Sequence, residues 1–380
     1  MQVRACLCFI TVLSLSLATA SVCRGVTPQE HSAAYTLHFF SDADDVKVMT
    51  HYGNYDLQLD NELALGLQWT HDVVVIPALE SAPQSPEAID AITTASRPIS
   101  SENGAFEDFV KARESFEGSL RAPHYNTGYY LSTESDYFAQ MLWVGYNRDL
   151  WNDNLNLSTG ISYAWDDIQP LDDADTTGRG GKLQTRHWNV IATQILSPTT
   201  VFRLGGEINA VRGSQHDTYR NVYAGGTNVP ERHPDRRSRY DVFCRLSQYL
   251  HSRASVKLDY RFYTDDWSVS SHATTAKLSQ YVNDALVVNY RYRYYTQVEA
   301  EFFREEYPSI SGIDGYLTGD YRLGGFGAHL FGFLVQWNMK QLFSDVDFLS
   351  QTRLRFGYER YFNSNNFTAN IMEVGIDLAF

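Results

Sequence analysis

Apolar and polar residues alternate with a period of two along several segments, and this restricts the fold more than any other feature of the chain. From Ala254 the even positions read Ala254, Val256, Leu258, Tyr260, Phe262, and the odd ones Ser255, Lys257, Asp259, Arg261, Tyr263. The segment before it sets Tyr240, Val242, Cys244 and Leu246 against Asp241, Phe243, Arg245 and Ser247. Leu286, Val288, Tyr290, Tyr292 and Tyr294 alternate with Val287, Asn289, Arg291 and Arg293. Leu155, Leu157, Thr159, Ile161 and Tyr163 do the same with Asn156, Ser158, Gly160 and Ser162. A strand sends successive side chains to opposite faces, so each segment is predicted as a strand with one face suited to hydrocarbon and the other to water. A soluble β-sandwich also alternates; inward arginines matched by acids, and aromatics crowded near strand ends, favour a membrane barrel.

Composition agrees. A helical span needs about 20 apolar residues, and beyond the N-terminus the longest such run lies around Val73–Leu79. With 25 Tyr and 14% aromatics, the chain is expected to be all-β, an antiparallel transmembrane β-barrel of the bacterial outer membrane. The formal net charge of −14 argues against a nucleic-acid partner, because no basic stripe is present to neutralise phosphates. The densest basic cluster, Arg232, Arg236, Arg237 and Arg239, is interleaved with Glu231 and Asp235.

Connection lengths are expected to alternate. Short turns fall at Leu59–Glu62, Arg121–His124, Ser197–Thr200, His251–Arg253 and Val282–Asp284; longer polar stretches lie at about 78–104, 166–185, 213–238 and 298–317. Outer-membrane barrels pair short periplasmic turns with long external loops. Threading strands from His31 to Phe380 gives about 16, an even number that places both termini in the periplasm. The last strand carries Met372, Val374, Ile376, Leu378 and Phe380 at alternate positions. Gly375, Leu378 and the terminal Phe380 are predicted as the assembly signal read by the barrel-insertion machinery.

Residues 1–20 read as a secretory signal peptide: Arg4, an apolar core from Cys6 to Leu17, and the small-x-small site Ala18-Thr19-Ala20. The remainder, 21–380, is expected to be a single barrel. Lipid modification of Cys23 is the alternative at this end, although Val22 in front of it fits poorly. No CxxC, CxxCH or Cys/His zinc spacing occurs, so no cofactor is expected. A Cys23–Cys244 disulfide is disfavoured by the lipid-facing position of Cys244.

Several motifs resemble the outer-membrane family catalogued as domain of unknown function 3570. They are Ser132-Thr133-Glu134-Ser135-Asp136-Tyr137, the run Gly160–Pro170, Pro234-Asp235-Arg236-Arg237, and Leu258–Trp267 followed by Ser271-His272. Asp320-Tyr321-Arg322-Leu323 with Phe326-Gly327-Ala328 completes the set. The resemblance implies an outer-membrane location and a barrel architecture. It also implies exported thiol-redox and flavin-attachment proteins as neighbours, hence periplasmic redox or export partners.

Three kinds of chemistry are candidates. Asp259, Arg261, Arg291, Arg293 and Arg322 would line a permeation path, because opposed charges in a pore select ions; a lumen plugged by the same paired side chains is the alternative. Asp166, Asp167, Asp265 and Asp266 would make a cation-binding loop, against the plainer reading that Asp stabilises turns. A membrane-embedded hydrolase finds little support, since adjacent Ser271 and His272 point to opposite faces of a strand and no G-x-S-x-G is present. Tyr219, Tyr223, Trp165 and Trp267 are expected in an interfacial aromatic girdle. The expected function is a non-enzymatic pore, or the outer-membrane component of an export or redox assembly. The alternatives are a closed structural or surface-binding barrel acting through its external loops, and an integral outer-membrane enzyme.

Overall fold

The computed structural model describes residues 28–59, 62–76, 109–170, 179–341 and 350–379. The predicted signal peptide, Cys23, the whole of the predicted 78–104 loop and Phe380 lie outside them. The wall begins with β1 (Pro28–Asp42), β2 (Lys47–Leu59), β3 (Ala64–Ile76), β4 (Phe109–Arg121), β5 (Tyr125–Thr133) and β6 (Tyr137–Leu150). It continues with β7 (Leu155–Ile168), β8 (Gly181–Ser197) and β9 (Thr200–Gly213). A short hairpin, β10 (Asn221–Ala224) and β11 (Thr227–Pro230), interrupts it. The wall resumes with β12 (Arg236–Leu250), β13 (Ala254–Asp265), β14 (Ser270–Tyr281), β15 (Leu286–Val298), β16 (Phe326–Asn338), β17 (Arg353–Asn363) and β18 (Thr368–Ala379).

Chain neighbours pair antiparallel around the whole circuit, β9 pairs with β12 past the hairpin, and β18 pairs with β1. The result is a closed barrel of 16 strands, which leaves no wall strand with an unpaired edge. Closure is what permits strands in hydrocarbon, where an orphaned backbone amide costs several kcal/mol. The alternation read from the sequence is the alternation of the wall. Tyr240, Val242 and Leu246 of β12, and Leu258 and Tyr260 of β13, are exposed large hydrophobic residues on the outside, while the charged members of the same strands pair with one another on the inside. Outward imidazoles are satisfied by phenols, as in Tyr260 Oη with His272 Nδ1 (2.8 Å) and Tyr292 Oη with His329 Nδ1 (2.9 Å).

An even strand number puts the start of β1 and the end of β18 at one rim, the terminal rim; the opposite one is the loop rim. The predicted short turns fall at the terminal rim, joined there by the unpredicted turn Trp151–Asn154. Three of its residues, Trp151, Asn152 and Asp153, adopt positive φ. The length rule does not hold throughout. Residues 339–352 make a long connection at the terminal rim, whereas 43–46, 134–136, 266–269 and 364–367 are short connections at the loop rim. The predicted 166–185 loop shrinks to 169–180, because β7 runs on to Ile168 and β8 begins at Gly181. The predicted 298–317 loop lengthens to reach β16 at Phe326.

The fully buried apolar residues belong largely to the loops rather than the wall. Trp267, Val269, Ala300, Phe302 and Leu323 form one cluster, and Val222, Ala224, Tyr307 and Leu317 a second. Ile313 packs against both, so connections 214–235 and 299–325 fold as one cap. Tyr219 and Trp267, predicted in the aromatic girdle, are instead buried in the cap region (6% and 3% exposed). Their rings stabilise loop packing rather than the lipid interface.

Candidate functional site

The inner wall of β13–β17 carries a row set by strand register. Lys257 of β13 stands opposite Lys277 of β14, which stands opposite Arg291 of β15. Arg291 faces Gly332 of β16, and Gly332 faces Glu359 of β17. Because Gly332 has no side chain, the Arg291 guanidinium reaches across β16 to Glu359 Oε1 at 3.0 Å. A Cβ at Gly332 would lie 2.7 Å from Glu359 Cγ. Lys257 and Lys277 have no ion pair among the described residues. Neither lysine was singled out from the sequence, because the signal is the register across strands, which a single strand's alternation does not contain.

The predicted lumen residues divide. Asp259 pairs with Arg245 on β12. Arg261 lies 3.6 Å from Glu207 and 3.5 Å from Asp241, with its guanidinium 5.1 Å from the Phe243 ring centroid. Arg293 lies 5.8 Å from the Tyr295 ring centroid. Arg322 is not on the wall. It sits in a 3-10 turn (Tyr321–Leu323) of the cap, its guanidinium 2.9 Å from Asp320. The Asp320–Leu323 pattern imitates a strand, but its amides cap a turn.

Residues of β5–β9 line a different surface, a cavity of about 560 Å³ with Asn126, Asn147, Asn189, Asn209, His187 and Trp143 in its lining. Gly145, Gly160, Ser158 and Ser162 keep that side shallow. In the strand order β6 lies seven strands from β15, so an amide-rich wall faces the cationic one.

Above the lumen, the cap is tied down by charge. Arg220 Nη1 lies 2.8 Å from Asp320, and Glu231 accepts hydrogen bonds from Thr318 Oγ1 (2.7 Å) and Gly319 N (3.1 Å). Burial alone would raise the Asp320 carboxyl, but Arg220 and Arg322 outweigh it and hold the group at about 2. Burial also opposes the Glu231 charge; His233 and Arg220 prevail and bring it below the ordinary carboxylate range. At one side Tyr219 Oη donates to Asp136 on the β5–β6 connection (2.7 Å). At the other, Tyr321 stacks on Phe367 of the β17–β18 connection, with centroids 6.5 Å apart. Those anchors are six strands apart around the ring of 16 by the shorter way, so the cap crosses the mouth.

The four predicted cation ligands do not meet. Asp166 and Asp167 lie within β7, four strands from β13, which ends at Asp265. Asp166 accepts from Tyr137 Oη (2.6 Å), and Asp167 stands 3.8 Å from Lys182. Asp265 accepts from the Trp267 and Val269 amides and from Arg237, while Asp266 accepts from the Ser238 amide. Turn chemistry accounts for the second pair. No group of three His, Cys, Asp or Glu residues poised for a metal occurs among the described residues. Ser271 is buried, and its neighbour His272 points outward to Tyr260.

A closed antiparallel barrel with an apolar outside and a charged inside is a membrane-spanning barrel of the outer-membrane type. The chain belongs to the family described as "Protein of unknown function (DUF3570)", which matches residues 9–373. No curated protein matches it. Solved structures similar to it include outer-membrane expressed OmpT of Vibrio cholerae, at 9% identity over 93% of this chain and 98% of that one, TM-score 0.44. The outer membrane protein OpdK of Pseudomonas aeruginosa is 8% identical over 92% and 98%, TM-score 0.46. OccAB1 of Acinetobacter baumannii is 10% identical over 94% and 97%, TM-score 0.42.

Proposed function

We propose that the barrel is a channel for small solutes across the outer membrane, with both termini in the periplasm and the cap outside. The observation that carries this reading is the width and polarity of the lumen. Sixteen strands about 4.8 Å apart and tilted by about 40° enclose a backbone radius of roughly 16 Å. Side chains of about 6–7 Å from facing walls do not span that width, and many of the inward residues are charged, amide or small, with rings such as Phe243 and Tyr295 packed beside arginines. Insertion would use the machinery that reads Gly375, Leu378 and Phe380. The test is single-channel conductance of the purified barrel in planar bilayers. Discrete current steps are expected, and neutral replacements at Arg261, Arg291 and Arg293 should lower the anion-to-cation permeability ratio. Silence across several lipid mixtures would refute the channel.

The 14-residue connection 339–352 at the terminal rim favours a second reading, the outer-membrane part of an export or redox assembly. Co-purification of periplasmic proteins with the intact barrel, lost when 339–352 is shortened, is its test.

A further inference from the structure

Like charges directly opposite one another on neighbouring strands destabilise a sheet. The row Lys257–Lys277–Arg291 places three cations in that relation on three successive strands. Among the described residues no carboxylate pairs with either lysine, and the two nearest the row are each held by an arginine. Asp259 is held by Arg245, and Glu359 by Arg291 alone. The charged neighbours of Lys277 are Arg291, Asp259, Arg245 and Lys257, so cations outnumber acids around it. Arg293, two residues further along β15, adds positive charge, with an aromatic ring rather than a carboxylate beside it.

We infer that Lys257, Lys277 and Arg291 form a binding step for the carboxylate or phosphate group of a small anionic solute. This rests on the channel reading and names the solute class. Paired residues on neighbouring strands stand about 5 Å apart at Cα, so two flexible ammonium groups can converge on two oxygens of one anion. The Arg291–Glu359 pair fixes the third cation beside them. The row lies three to five residues above the terminal rim: Lys257 follows Ala254, Lys277 precedes Tyr281, and Arg291 follows Leu286. An anion entering through the capped mouth would meet it late in its passage.

The probes are inorganic phosphate, benzoate and, as a cation, choline. Each is titrated calorimetrically into the full barrel in detergent, a readout that needs no conduction. Phosphate or benzoate is expected to bind and choline not; preference between the two anions assigns the group. Lys277→Gln and Lys257→Gln should each weaken anion binding at least fivefold. Arg113→Gln, which removes the same charge from a side chain paired with Asp72 on the far wall, should leave it within twofold. Lys277→Glu would place a carboxylate between Lys257 and Arg291, so it should abolish binding while raising the unfolding temperature; this separates a lost site from a lost fold. Anion binding that is absent, or equal in wild type and Lys277→Gln, overturns the site whether or not the barrel conducts. Binding without any conductance upholds the site and removes the channel reading.

Discussion

Replacing Gly375 should open the barrel at its seam, and the reason is Arg355. This arginine of β17 lies opposite Gly375 of β18, which lies opposite Thr36 of β1. Its guanidinium crosses the glycine to donate to Thr36 Oγ1 at 2.6 Å, and contacts Glu373 at 3.1 Å and Asp377 at 3.0 Å. A Cβ at position 375 would fall 2.9 Å from Nη2 and 3.1 Å from Cζ, so Gly375→Val must drive the guanidinium away. A hydrogen bond from a charged donor contributes about 1.5–3 kcal/mol, while ion pairs open to water contribute about 0–1 each. With the Arg355 side chain 20% exposed, the combined loss is about 1.5–5 kcal/mol. Urea unfolding in lipid vesicles, followed by tryptophan fluorescence, measures it. The vesicles hold no insertion machinery, so a residue that served only as a targeting signal would show no effect on unfolding there. The Gly375→Val cost should shrink by more than half in an Arg355→Ala background. Equal costs in the two backgrounds would refute the latch.

Gly332→Val should break the Arg291–Glu359 pair and also push on the β17 backbone, since its Cβ would collide with the Tyr358 carbonyl as well as the Glu359 side chain. A loss of at least about 1–3 kcal/mol is expected, and unchanged urea midpoints would contradict it. The cap should respond to acid through Asp320. A carboxyl held at about 2 against an ordinary 3.8 contributes roughly 2 kcal/mol. That contribution is complete above about pH 4 and lost as the pH falls toward 2. Hydrogen exchange at cap amides should therefore accelerate over that window in wild type and not in Asp320→Asn. An identical acid profile in both would count against the Arg220–Asp320–Arg322 bolt. Cys244, on the lipid side of β12, should react in vesicles with an apolar maleimide and resist a charged thiosulfonate; the reverse preference would place it in the lumen. Deleting Phe380 should reduce insertion in cells while leaving any loop function of the inserted fraction intact.

The wall was legible wherever charges alternate with aromatics, as in β12, β13 and β15, because each strand must satisfy lipid and water on opposite faces. Turns rich in Asp, Asn, Ser and Pro marked the terminal rim for a similarly local reason. The cap was not legible. Its contacts join segments far apart in sequence, such as Glu231 with Thr318 and Tyr219 with Asp136. Single-segment reading therefore assigned Tyr219 and Trp267 to the membrane interface and Arg322 to the lumen. The Lys257–Lys277 juxtaposition escaped for a related reason, since which residues face each other depends on the shear between strands. Asp166 and Asp167 suggested a loop because acids are common in turns, yet both remain in the ladder, facing Leu183 and Lys182 of β8.

On the channel reading proposed above, the barrel has no packed interior to resist being squashed. At the loop rim, the Tyr219–Asp136 and Tyr321–Phe367 anchors brace the mouth like a strut fixed at points six strands apart on a hoop of 16. Lateral pressure from the surrounding bilayer is then borne by the cap at one end of the barrel, whereas ovalisation is left to the other. The aperture that varies with membrane tension would be the one nearer the chain ends, and the one that stays round would be the mouth beneath the cap.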